Sequence, residues 1–171
     1  YMVAIGVGVT AMIRVGNQKG RGDFVALRRV AISTFLLIFL MDFLFCLFFI
    51  ATHDLLPWLY LDSGTPVISS DVVEVVRIAS NLILIAAFFQ VADGIQAVVL
   101  GALRGVQDVS IPAVLIFISY GLIGFPVSYY LGLKTNMSTT GIWIGLLTGL
   151  TLSALLLVLR FQYLTKKLVL Q

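Results

Sequence analysis

Long apolar runs alternate with short polar connections along the whole chain. Four runs, at 30–51, 78–101, 111–133 and 141–161, are nearly free of charge. Each approaches the roughly 20 residues that an α-helix needs to cross a bilayer. A fifth run, 1–13, has the same character but is shorter, as expected of a longer helix cut across. Strict apolar–polar alternation is missing, which argues against a transmembrane barrel. The predicted helices lie near 1–13, 30–51, 72–103, 111–133 and 141–162. The third is expected to begin ahead of its apolar run, because Ser69, Ser70 and Asp71 are good N-cap residues. Pro57, Gly64 and Pro66 should break the connection before it into turns. The fold class is an all-α polytopic membrane protein with about five transmembrane helices, one of them truncated. There is no separate soluble domain and no short repeat.

Composition sharpens this reading. Of the 171 residues, 60% are hydrophobic and 11% charged, against about 25% charged in an ordinary soluble domain. The chain is basic, with 11 Lys and Arg against 8 Asp and Glu. The basic residues sit at the ends of apolar runs instead of forming a phosphate-binding stripe, which argues against a nucleic-acid partner. The first connection carries Arg14, Lys19, Arg21, Arg28 and Arg29 against Asp23, and the third carries Arg104 and Asp108. The tail adds Arg160, Lys166 and Lys167, while the second connection is acidic and the fourth holds only Lys134. Positive charge concentrates on the cytoplasmic side of membrane proteins. This places the first and third connections and the C-terminus in the cytoplasm. Cys46 is single and inside an apolar run, an inert buried thiol.

The candidate chemistry is one acid in the wrong solvent. Asp93 lies within the run 78–101, where a carboxylate costs roughly 2.5–3.5 kcal/mol on insertion scales and needs a partner, a proton, a cation or a water-filled cavity. Phe89 and Ala97 lie four residues to either side of it, Gln90 and Gln96 three residues to either side. Ala86, Leu100 and Arg104 share that helical face. A small, polar stripe around one acid suits a cavity wall that takes a cation and an organic ligand in turn, and Asp93 is the candidate Na⁺ ligand if sodium is the cation. A purely structural hydrogen bond to a neighbouring helix is the competing reading. Asp42, in Phe39-Leu40-Met41-Asp42-Phe43, is a second intramembrane acid with bulky apolar neighbours along the chain, and functional and structural roles stand even. Asn81 is expected to hydrogen-bond between helices.

Gly141, Gly145, Gly149 and Ser153 recur every fourth residue, a pattern that lets two helix backbones approach. Gly121, Gly124 and Pro126 should loosen or kink the preceding helix. Gly6-Val7-Gly8-Val9-Thr10-Ala11 fits a loose dinucleotide fingerprint without its strand–turn–helix context. Arg21-Gly22-Asp23 reads as a cytoplasmic turn, and Asn136-Met137-Ser138 as a coincidental glycosylation sequon. No His, Cys or Glu cluster lies in the spans, so neither a metal centre nor a nucleophile–base pair can be assembled. The chain is not expected to be an enzyme or to need a cofactor.

Several stretches resemble one family. Ile13-Arg14-Val15-Gly16-Asn17, followed by Gly20 and Gly22, is similar to the loop after the eighth helix of MATE (multidrug and toxic compound extrusion) transporters. Gln90-Val91-Ala92-Asp93-Gly94-Ile95-Gln96, running into Gly101-Ala102-Leu103-Arg104-Gly105-Val106-Gln107-Asp108, resembles their tenth helix and its cytoplasmic exit. The stretch 120–126 and Gly141-Ile142-Trp143-Ile144-Gly145-Leu146 resemble helices eleven and twelve. The NorM-like branch is the nearest in pattern.

The resemblance implies a twelve-helix exporter of two six-helix lobes, exchanging Na⁺ or H⁺ for organic, often cationic, drugs. Residues 1–171 would form most of the C-terminal lobe, with the N-terminal lobe of the same polypeptide, membrane lipid and drug-like substrates as partners. Asp93 matches the family's acidic cation-site residue in helix ten. Phe89 stands where NorM-like members often have tyrosine, so a hydroxyl ligand is missing. The family's helix-seven acid would precede Tyr1, and Asp42 matches no family motif. Phe89, Gln90, Gln96 and Asp42 remain candidates for the substrate cavity. Two other readings stay open: a flippase for lipid-linked precursors, which should need a more cationic cavity, and a non-transporting structural subunit of the membrane.

Overall fold

The computed structural model describes residues 1–60, 70–135 and 137–169, and every regular element among them is helical. Helix α1 runs over Met2–Gly20, α2 over Phe24–Thr52, the short α3 over Leu56–Tyr60 and α4 over Ser70–Gly105. Helix α5 (Ser110–Phe117) passes through a π-helical stretch (Ile118–Gly124) into α6 (Phe125–Leu133), and α7 is Ser138–Val169. Four segments are long and apolar enough to cross a membrane: Phe24–Thr52, Val72–Gly105, Ser110–Leu133 and Ser138–Leu168.

Two boundaries differ from the sequence expectation. The region 14–29 is not a loop: α1 continues to Gly20 and α2 begins at Phe24, leaving three residues between them. Polar side chains mark where a helix leaves the bilayer, not where it ends, so hydropathy alone shortens both helices. The stop itself is local. Gly22 adopts φ +73°, and Asp23 caps α2 by accepting a hydrogen bond from the Ala26 amide at 2.8 Å. The Arg21-Gly22-Asp23 turn is thus a three-residue helix–helix joint. Pro57 occupies the first turn of α3 instead of a bend, a position where its missing N–H costs nothing. The expectations for Gly64, Pro66 and Ser69, for the side chains of Ser70 and Asp71, and for the sequon residue Asn136 lie outside the described residues.

The expected break in the fourth span takes the form of π-helix. Pro126 donates no backbone hydrogen bond, and in a regular α-helix its ring would press on the Leu122 carbonyl. Widening the turn over Ile118–Gly124 relieves that clash without ending the span.

Helix α4 is the centre of the bundle, packed against α1, α2 and α7. Val98, Val99, Ala102 and Leu103 of α4 meet Ala11 and Val15 of α1, Leu27 and Ile38 of α2, and Phe161 of α7 in one core. Phe161 is clasped edge-to-face by Phe35, with ring centroids 5.3 Å apart. Outside this core the long apolar side chains of α2, such as Leu36, Phe39, Leu40, Leu44 and Phe48, are exposed. That inversion suits a lipid surround, where packing of small residues, not burial from water, holds helices together.

Backbone contact achieves much of that packing. A side chain on Gly101 would run into the backbone of Gly8, and one on Gly145 into the backbone of Ser128. Gly141 lies against Leu131 and Gly132, and Gly149 against Gly124. The three glycines of the α7 stripe therefore form its seam with α6 and the π-helical stretch, as their spacing implies. At one end of the bundle, Lys19 donates to the Val106 carbonyl at 2.8 Å and to Gln107 Oε1 at 3.0 Å. Arg160 Nε donates to Asp108 Oδ2 at 2.8 Å. These bonds tie α1 and α7 to the α4–α5 joint, whose Gln107 has φ +64°.

Candidate functional site

Asp93 is half-buried on α4, in the wall between two small cavities. On one side it faces α1 across a space of about 280 Å³, shared with Gln96, Leu100, Gly101 and Arg104 of its own helix and with Gly8 and Met12 of α1. On the other side it faces α2 across about 240 Å³, shared with Gln90, Gly94, Asp42 and Phe49. The helical-face argument placed Gln96, Leu100 and Arg104 with Asp93, and the α1-side cavity brings them together.

Asp42 arrives from a different helix. It belongs to the buried stripe of α2, with Leu27, Ala31, Thr34, Ile38 and Cys46. Its carboxylate rests on Gly94 so closely that even a methyl group there would collide with Oδ2. Asp42 is 5% exposed, and its Oδ2 has no hydrogen-bond partner among the described residues. The bulky apolar surroundings read from its own segment are only half of its environment, since Gln90 and Asp93 share its cavity. A helical wheel sees neighbours on one helix and misses those donated by another. The signal that could have shown the contact is Gly94 beside Asp93, a gap in α4 opposite a side chain of α2.

The remaining candidates separate. The Tyr120 hydroxyl, in the π-helical stretch, donates to Gln96 Oε1 at 3.2 Å, so the kinked span touches the Asp93 face through a polar contact. Phe89 turns to α7, edge-on to Trp143 with centroids 5.9 Å apart, and lines neither Asp93 cavity. Asn81 is exposed on the bundle surface. Cys46 is buried, as its place in the run implies. Among the described residues, no group of three or more His, Cys, Asp or Glu side chains is placed to hold a metal ion.

A larger cavity, about 960 Å³, lies elsewhere. Phe117, Tyr120, Phe125, Tyr129 and Leu133 form one wall, and Ile142 and Leu146 of α7 the other. It holds no charged group and opens beside the π-helical stretch.

The family model MatE matches residues 1–130. The chain belongs to the MatE family. It is 37% identical over 167 residues to a probable multidrug resistance protein NorM of Rhodopseudomonas palustris, covering 97% of this chain and 34% of that protein. A protein of the same name from Agrobacterium fabrum is 36% identical over 167 residues, covering 98% of this chain and 35% of its own length. The crystal structure of the eukaryotic MATE transporter AtDTX14 superimposes with a TM-score of 0.82 at 22% identity, over 98% of this chain and 37% of that one. The inward-facing conformation of a multidrug resistance MATE family transporter of the MOP superfamily gives 0.81 at 14% identity, over 98% and 38%. The chain therefore spans about a third of the length of the curated relatives it matches. It is an integral membrane protein with the helix packing of that transporter fold.

Proposed function

We propose that this chain forms most of the C-terminal lobe of a cation-coupled exporter, which exchanges Na⁺ or H⁺ for organic, often cationic, drugs across the bacterial cytoplasmic membrane. The observation that carries the proposal is Asp93: a half-buried carboxylate in the middle of α4, lining a cavity on each side. The names of its NorM relatives, probable multidrug resistance proteins, support the substrate class.

A mid-span carboxylate without a basic partner is stable when a cation occupies it. In this reading the coupling ion and the organic cation compete for Asp93. A ligand shifts an inward–outward equilibrium only by its differential affinity for the two states. Cation binding from outside favours the conformation that releases drug, and rocking of one lobe against the other completes the cycle. Gln96, held by the Tyr120 hydroxyl, links the acid to the kinked span and gives that span a means of sensing occupancy. Phe89, edge-on to Trp143, braces α4 against α7 beside the site.

The test is ethidium efflux from cells expressing the full-length protein, wild type against Asp93→Asn at equal membrane abundance, with and without a Na⁺ gradient. Loss of efflux in the variant is expected, and dependence on the Na⁺ gradient in the wild type identifies the ion. Equal efflux by both proteins would remove Asp93 from the mechanism.

A further inference from the structure

The α2-side cavity has features that a structural carboxylate does not need. Asp42 is almost fully buried, its Oδ2 has no donor among the described residues, and it shares a space of about 240 Å³ with Asp93 and Gln90. Among the described residues, the titratable residues lining this space are Asp42 from α2, Asp93 from α4 and Tyr1 from the start of α1, and no Lys or Arg lines it. Arg104 lies on the far side of Asp93, in the other cavity, and is exposed. Two carboxylates around one low-dielectric space cannot both stay ionised without a positive partner.

Size narrows the occupant. Pockets for organic ligands run from roughly 300 to 1,000 Å³, and this one falls below that range. It suits a small cation with a few waters. Gly94 completes the arrangement: any side chain there would drive the Asp42 carboxylate out of its seat.

We propose that Asp42 and Asp93 together form one monovalent-cation site at the α2–α4 contact, with Asp42 as the second carboxylate that binds the coupling ion. The proposal rests on Asp93 being the coupling residue, and it adds a ligand from α2 that drug binding itself does not require. The occupant is Na⁺ or a proton, and either offsets one negative charge of the same carboxyl pair.

The experiment uses purified full-length protein and ethidium fluorescence. Bound ethidium is displaced by Na⁺ at fixed alkaline pH in one arm, and by lowering pH without Na⁺ in the other. In Asp42→Asn the midpoint for the effective cation, referred to that variant's own ethidium affinity, should weaken by at least about tenfold. Gly94→Ala, which keeps both acids but displaces one, should weaken cation displacement in the same direction. Midpoints unchanged in Asp42→Asn would overturn the two-carboxylate site while leaving Asp93 as coupling residue. A wild-type protein from which neither cation displaces ethidium would overturn both readings.

Should Asp42→Asn fail to fold, carbodiimide labelling of the wild type replaces it, with modified peptides read by mass spectrometry. Labelling at Asp42 that Na⁺ or alkaline pH suppresses is expected. Labelling of Asp42 indifferent to both, or none while Asp93 is labelled, would contradict the site.

Discussion

Two seams in this bundle are built around glycine, and they do different things. Between α7 and the span made of the π-helical stretch and α6, Gly141, Gly145 and Gly149 bring backbone against backbone, and Ser128 spends its hydroxyl on the Ile142 carbonyl at 3.1 Å. Between α2 and α4, Gly94 makes room for a carboxylate instead of a backbone. Further along α7, one buried hydroxyl, Ser153, has no partner among the described residues, a cost of about 1–3 kcal/mol. The α2–α4 seam leaves a buried carboxylate oxygen without one, which costs more unless a proton or cation arrives. The same residue type thus makes a packing contact in one place and a vacancy for charge in the other. What differs is the polarity of the atom that fills the gap.

Substitutions at these glycines should separate the two. The largest effect is expected at Gly145→Leu. The added side chain meets the Ser128 backbone, so the helices must part, and stability should fall by about 3 kcal/mol. Thermal unfolding of the full-length protein in detergent checks it, and a wild-type Tm would mean that the seam is loose. Asp108→Ala comes next. It strips Arg160 of its partner at a site where the side chains are 22% and 13% exposed, and should cost about 2 kcal/mol by the same measurement. Gly94→Ala should cost less, about 1 kcal/mol, because a carboxylate and the Ile38 side chain can swing aside where a backbone cannot. If its loss matched that of Gly145→Leu, the α2–α4 contact would be ordinary packing. Phe89→Leu is the smallest change. It removes an edge-to-face pair worth about 0.5 kcal/mol and should leave cation displacement of ethidium intact.

Much of this fold was legible in the sequence because the bilayer imposes lengths. The four spans, the break around Pro126 and the small-residue seam of α7 each follow from a rule acting within one helix. The ends of α1 and α2 did not follow, since Arg14, Lys19, Arg28 and Arg29 are polar and helical at once. The site was legible by halves. Asp93 announced itself by cost, and Gln96 and Arg104 by helical spacing. Asp42 was equally visible as an acid, but its neighbours belong to α4, more than 40 residues away in sequence. Helix α2 is apolar all round, so no amphipathic face showed which side was buried. Phe89 shows the converse, sharing the Asp93 face by spacing and then turning to Trp143.

The central claim is that Asp93 binds the coupling cation in competition with drug. Its most direct test is displacement of ethidium from purified full-length protein by Na⁺ and by protons, wild type against Asp93→Asn. The account predicts displacement from the wild type by one of the two cations, and weaker ethidium binding to the variant, which neither cation alters. Displacement from the variant at the wild-type concentration would contradict it.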